Sequence, residues 1–270
     1  MIPYKKRLLN NLLEIGGVAT LNNLYSPYAE TYKGSLLHSR KIIKDFISEG
    51  LIEKIEPIGK PGNKSNEVFY CLTKLGAHYI GRVDEYKYKK FQKSPNNVMH
   101  ESAKFDVALS LLHTYPYHKF TFRYDSSFYG VRPDIFIRLE SSRHNEVTRF
   151  FLVELERKKT IDRVFHEKIK RYEAMFTSIQ KNKSHNEQQF TVLFVYTDIW
   201  FNVFLRPQQY SDPYVIQKIE HVNSLLHNLV YKYCKSLPDH RYRFTGFHNF
   251  NRLHEAVWLT PIGNRIQLNL

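Results

Sequence analysis

The chain of 270 residues has only two cysteines, Cys71 and Cys234, with no CxxC and no Cys/His cluster around either. A disulfide scaffold and a zinc finger are thereby excluded, and a reducing cytoplasm is the simplest setting. No run of about 18 apolar residues occurs, so no membrane-spanning helix is expected. The opening stretch, MIPYKKRLLNNLLEIGG, turns polar again too soon for a signal peptide. There is no GxxxxGK[ST] loop, which argues against an ATP motor, and no GxGxxG after a strand. Acidic residues are also few: 26 against 40 Lys and Arg, a formal net charge of +14. Residues 1–93 hold 16 basic and 9 acidic side chains and the remainder 24 and 17, so each part carries +7 and no single tail explains the excess. Such a balance suits a phosphate backbone as partner, although abundant Lys, Asn, Ile, Tyr and Phe also accompany an AT-rich genome. What is present is enough apolar and aromatic material, 42% and 15%, to exclude a disordered chain and to fill one or two domains.

The first ninety residues alternate helical and extended patterns. Leu8, Leu9, Leu12, Leu13 and Ile15 fall at helical spacing over 4–15, and Gly16-Gly17 stops that helix. Val18-Ala19-Thr20 is expected to lead into a second helix, capped by Thr20 and limited by Pro27. A third helix is expected over about 34–49, with Leu36, Leu37, Ile42, Ile43, Phe46 and Ile47 inward and His38, Ser39, Arg40, Lys41 and Lys44 on the other side. Residues 51–55 and 67–72 read as two strands joined by a basic, turn-rich tip, and Thr73 caps a helix over 74–82. Helix, helix, helix and basic hairpin, with "GLI" before the turn and "FYCLTKLGAHYI" after it, resembles a winged helix-turn-helix. The resemblance implies that the third helix enters the major groove and the hairpin touches the backbone. Ser35, His38, Ser39, Arg40 and Lys44 would then face double-stranded DNA, and Lys60, Asn63 and Lys64 would sit on the wing. The same fold also serves protein contacts. Residues 84–97 (DEYKYKKFQKSPNN) read as a linker or a charged helix, giving domains at 1–83 and 98–270.

The second domain reads as helix (100–113), three strands (119–124, 132–139 and 148–158), helix (160–176), then strands at 190–195 and 200–205. That order predicts an α/β domain with a mixed central sheet, and an α+β protein overall. Pro133 disfavours ladder pairing, so Asp134 is expected at a strand start. In FFLVELERK (150–158), alternation places Phe151, Val153 and Leu155 on one face and Glu154, Glu156 and Lys158 on the other. If 132–139 and 148–158 form a hairpin, Asp134 approaches both glutamates. Three carboxylates together stay ionised only beside a cation or in water. A hard divalent ion, Mg²⁺ or Mn²⁺, suits all-oxygen ligation, and a nearby lysine can offset charge on a phosphate.

Pro133-Asp134 and Glu154 resemble the PD-(D/E)xK nuclease superfamily, which implies a restriction-endonuclease-like domain and an acidic ligand on the first helix, for which Glu101 is the candidate. Glu156 stands where that motif has lysine; Lys158, two residues on, and Lys168, on the next helix, are the substitutes. A resemblance over nearly the whole chain, a winged helix followed by "RPD…FFLVELER…K…KIKRYEAMF", is to the replication-relaxation family, which includes the MOB-C plasmid relaxases. It implies Asp134, Glu154 and Glu156 as a metal-linked catalytic core, and DNA nicking or processing at an origin of a plasmid or integrative element. It also implies that the KIKRY stretch, with Arg171, faces the DNA strand, although a solvated basic face reads equally well. Other mobilisation or replication proteins are the further partners, and no membrane is involved. A second reading keeps the nuclease-like fold only as a non-catalytic platform for a replication or mobilisation factor, and a third is a dimeric repressor. In residues 201–270, the aromatics Tyr210, Tyr214, Phe244, Phe247, Phe250 and Trp258 read as core.

Overall fold

The computed structural model describes residues 3–14, 17–20, 36–55, 68–86, 95–114, 118–124, 127–141, 148–157, 161–182, 185–197, 213–253 and 255–268. The chain forms two compact units, Met1–Leu109 and Ser110–Leu270, and the division falls inside a helix, Pro95–Thr114. Among the described residues no helix is long and apolar enough to cross a membrane. The architecture is α+β with a mixed central sheet, as the order of patterns predicts.

In the first unit, α1 (Pro3–Glu14) and α2 (Leu36–Ser48) lie with a small sheet of β1 (Val18–Thr20), β2 (Ile52–Ile55) and β3 (Phe69–Leu72) and a short α3 (Lys74–Tyr79). Leu8, Leu9 and Leu12 of α1 meet Ile42, Ile43 and Phe46 of α2 in one core with Leu51, Ile52, Leu72 and Ala77. Val18–Thr20 is itself a strand, and the second helix expected after it lies outside the described residues. The strand pairs antiparallel with β3, because three consecutive buried residues complete the sheet. β2 and β3 pair as the expected hairpin, from Ile52↔Leu72 to Ile55↔Phe69. α2 ends where Gly50 adopts φ +70, so that Leu51 N–H reaches Phe46 O and Gly50 N–H reaches Ile47 O. Thr73 caps α3 by accepting from Gly76 N–H at 3.0 Å, while its own hydroxyl donates to Gly50 O at 2.7 Å. Gly76 is required by space: a Cβ there would lie 2.1 Å from Leu51 O.

The helix expected over 100–113 is longer, Pro95–Thr114, and becomes α4. Beyond it the strands are β4 (His118–Tyr124), β5 (Ile135–Ser141), β6 (Arg149–Arg157), β7 (Phe190–Thr197), β8 (Tyr242–Gly246), β9 (Trp258–Leu259) and β10 (Arg265–Ile266). They form one sheet in the order β10-β9-β8-β7-β6-β5-β4. β4, β5 and β6 run antiparallel, whereas β6, β7 and β8 are parallel. α5 (Ile161–Asn182) and α6 (Pro213–Tyr233) supply the crossovers. α5 extends past the expected end at 176. Its inward stripe Phe165, Ile169, Tyr172, Met175, Phe176 and Ile179 keeps helical spacing to the last turn and is fully buried. The expected strand at 200–205 lies outside the described residues. In the C-terminal region the aromatics divide: Phe244 and Trp258 are buried, whereas Tyr214 projects from α6. Phe244 stacks on Phe194 of the neighbouring strand, with ring centroids 5.5 Å apart.

Candidate active site

β5 and β6 form the expected hairpin, in the register Ile135↔Val153 to Leu139↔Arg149. One more step along that register sets Asp134 opposite Glu154. β5 begins only at Ile135, so β6 runs past its partner, and the Asp134 carboxylate takes the place of the missing ladder acceptor. Leu155 N–H donates to Asp134 Oδ2 at 2.9 Å. Pro133, just before, has no N–H to continue the ladder.

β6 is central in the sheet, and Phe151–Glu156 are all buried, so the polar face expected from alternation is covered as well. Covering it is α5. Leu152 of the glutamate-bearing face shares a core with Phe165, Ile169 and Tyr172. Lys168 and Tyr172, one turn apart on α5, reach the two carboxylates. Lys168 Nζ donates to Glu154 Oε2 at 2.7 Å and to Glu156 Oε1, and Tyr172 O–H donates to Glu154 Oε1 at 2.5 Å. The lysine therefore lies between the glutamates, and the acids are not an open trio. Among the described residues, no three His, Cys, Asp or Glu side chains are gathered as a set able to hold a metal ion.

The electrostatics follow from burial. Desolvation pushes the Glu154 carboxyl up to about 7; Lys168 opposes that rise and Asp134 adds to it. Burial also works against the Lys168 charge, but Glu154 and Glu156 outweigh it and hold the ammonium above its ordinary value. Tyr172 is raised as well, by burial first and then by Glu154, so it stays a hydrogen-bond donor. The raised Glu154 reports a carboxyl in a dry pocket, where burial outweighs the Lys168 ammonium beside it. Asp134, Glu154 and Glu156 offer only carboxylate oxygens, the donor type that a hard divalent ion takes. Lys168 holds Glu154 as well as Glu156, and Asp134 is held by Leu155 N–H.

Arg163, Lys170 and Arg171 are exposed on α5, whereas Lys168 and Tyr172 turn inward, so the KIKRY stretch divides between site and surface. Glu101, on α4, is ion-paired to the buried Lys104 at 2.9 Å. Arg40 and Lys44 are exposed on α2; His38 and Ser39 belong to the same helix. Ser35, Lys60, Asn63, Lys64 and Lys158 lie outside the described residues. Tyr172 is not among the residues that the sequence pattern marks for catalysis. Its signal is its place one helical turn after Lys168 on a stripe that is otherwise apolar, where a lysine needs a buried partner.

No curated protein sequence matches the chain significantly. Among solved structures, restriction endonuclease FokI aligns over 92% of this chain and 42% of its own, at 10% identity and a TM-score of 0.30, so the chain spans less than half of that protein's length. The replication-relaxation family matches residues 17–193, from just before β1 into β7 and through Asp134, Glu154, Glu156 and Lys168. With well over half of its sequence matched, the chain belongs to the replication-relaxation family.

Proposed function

We propose that the protein is a divalent-metal-dependent, relaxase-like DNA endonuclease that nicks one strand at an origin-like site of a plasmid or integrative element. Family membership indicates DNA processing. The observation that carries the finer reading is the buried assembly of Asp134, Glu154, Glu156 and Lys168 on the hairpin and the helix that follows it. In this reading residues 1–83 are a winged helix-turn-helix that selects duplex DNA, with Arg40 and Lys44 toward it, and 84–97 connect it to a restriction-endonuclease-like domain over 98–270.

Asp134 and Glu154 would hold Mg²⁺ or Mn²⁺, which supplies charge stabilisation to a phosphodiester and a more acidic water. Asp134 is fixed by Leu155 N–H, so its carboxylate is presented from a rigid strand end. Tyr172 orients Glu154 by donating to one of its oxygens. Glu156 holds Lys168 in place, and the ammonium then offers positive charge toward a phosphate without a motif lysine at 156.

The test incubates the full chain with supercoiled plasmid carrying the DNA that flanks its own gene, with Mg²⁺ or Mn²⁺. Wild type should accumulate open circles, and Glu154→Ala should not. Equal amounts from both end the catalytic reading. One observation favours a second reading: Lys168 already compensates both glutamates, as in a purely structural ion-pair network. A non-catalytic replication or mobilisation factor would protect a specific DNA site from cleavage reagents, show no cleavage with any metal, and tolerate Asp134→Asn, which keeps the acceptor for Leu155 N–H.

A further inference from the structure

At the carboxyl end of β8 lies a cavity of about 230 Å³, lined by α6, β8, the turn after it and β9–β10. Ligands of open α/β sheets bind outside the carboxyl ends of parallel strands, and β6, β7 and β8 are parallel here. The wall carries Arg252 and Arg265 with the amides of Asn223 and Asn249 and with Thr245, whose hydroxyl donates to Val257 O at 3.0 Å and accepts from Asn249 Nδ2 at 3.1 Å, and no acidic side chain lines it among the described residues. Arg252 is bidentate to Glu255, with bonds of 3.0 and 2.5 Å, which offsets its charge. Arg265 is exposed and has no acidic partner among the described residues. His248 is one of the residues lining the cavity. It packs against the strand end only because residue 246 is glycine, since a Cβ there would lie 2.2 Å from the ring.

The geometry points to a phosphate-ester site in this cavity, bound through Arg265 with Asn223 and Asn249 as neutral donors. The volume suits a phosphate with its sugar, being below the range of about 300–1,000 Å³ common for larger ligands. The potential has the right sign. Burial holds the His248 pKa down to about 4, and Arg265 and Arg252 push it the same way, so cationic charge accumulates without the imidazole.

Position adds a consequence. Glu156 pairs in register with Tyr196, and Tyr196 with Gly246. The cavity thus opens at the same end of the sheet as the acidic assembly, two strands or about 10 Å away. A strand whose one phosphate sits at Asp134 and Glu154 would set another phosphate here. That continuity rests on the proposed function; the anion site does not.

The ligand is either a DNA strand or a free nucleotide, and separate titrations distinguish them. The full chain is titrated in EDTA with a short oligothymidylate, with thymidine 5′-monophosphate and with inorganic phosphate, following side-chain amide signals of Asn223 and Asn249 and the ring of His248 by NMR. Shifts with the oligonucleotide, weakened about tenfold or more by Arg265→Ala at unchanged melting temperature, support the site with DNA as its source. Shifts with the mononucleotide alone support the site and make a free nucleotide its ligand. No shift with either ester, shifts only with inorganic phosphate, or equal affinity in Arg265→Ala overturn it. EDTA keeps the result separate from nicking: loss of cleavage in Glu154→Ala leaves this binding untouched, and absence of this binding leaves the nicking assay to stand alone.

Discussion

Replacing Glu154 by glutamine removes an undercompensated buried charge while keeping its shape and its acceptor for Tyr172. Glu154 holds its proton up to about pH 7 in the folded chain but releases it near 4.5 when unfolded. Between those values the native state binds more protons, so its stability falls as pH rises, and the fall levels off above about 7. A shift of that size corresponds to about 3 kcal/mol. His248 acts in the opposite sense. Its depressed value means that the unfolded chain binds the extra proton, so its contribution rises with pH from about 4 toward its ordinary value. Subtracting the variant's curve from that of the wild type isolates Glu154. The assay is urea unfolding in EDTA at steps between about pH 5 and about pH 8, where most stability profiles peak. Glu154→Gln is expected to lose stability relative to wild type at the acid end and to regain it, or exceed it, at the alkaline end. Parallel curves for the two proteins would refute a buried, undercompensated carboxylate at this position.

Tyr172→Phe removes the hydroxyl that donates to Glu154 Oε1; it should cost about 1–3 kcal/mol and move the Glu154 midpoint further up, read from the same pH series. Gly76→Ala should destabilise the first unit by about 1–3 kcal/mol or more, because the clash is with the backbone oxygen of Leu51 rather than a movable side chain; the unfolding midpoint in urea checks it. Arg40→Ala combined with Lys44→Ala should leave thermal stability unchanged, since neither side chain is buried. On duplex DNA it should lower the salt dependence of binding by about 0.9 for each phosphate no longer neutralised, measured by anisotropy at several salt concentrations; an unchanged slope removes α2 from the DNA face.

The hairpin of β5 and β6 was legible because Pro133 marks a strand start and Val153–Glu156 alternates after the apolar run Phe150–Leu152. Its face was not. Alternation separates Glu154 and Glu156 from Phe151 and Val153, but it cannot say that α5 returns to cover the glutamates. Lys168 was legible as a substitute lysine, whereas its position between the two carboxylates depends on a crossover that sequence periodicity does not fix. Val18–Thr20 was not legible as a strand because three residues are too few for a period, and only pairing with β3 makes them one. α6 carried a readable stripe, Val215, Val222, Leu226, Leu229 and Val230. The interleaved histidines and asparagines diluted it, and β8, five residues long, offered too little pattern to stand out.

The bond from Leu155 to Asp134 gives one side chain two separable jobs, as an architectural plug for a main-chain donor and as a carrier of charge. Asparagine can still plug that donor with its amide oxygen, and alanine cannot. Asp134→Asn should therefore keep the end of the hairpin intact and silence only the electrostatics, while Asp134→Ala frays the strand as well. Any loss seen in alanine but not in asparagine belongs to the scaffold, and that comparison calibrates how much of every other substitution at this site is chemistry.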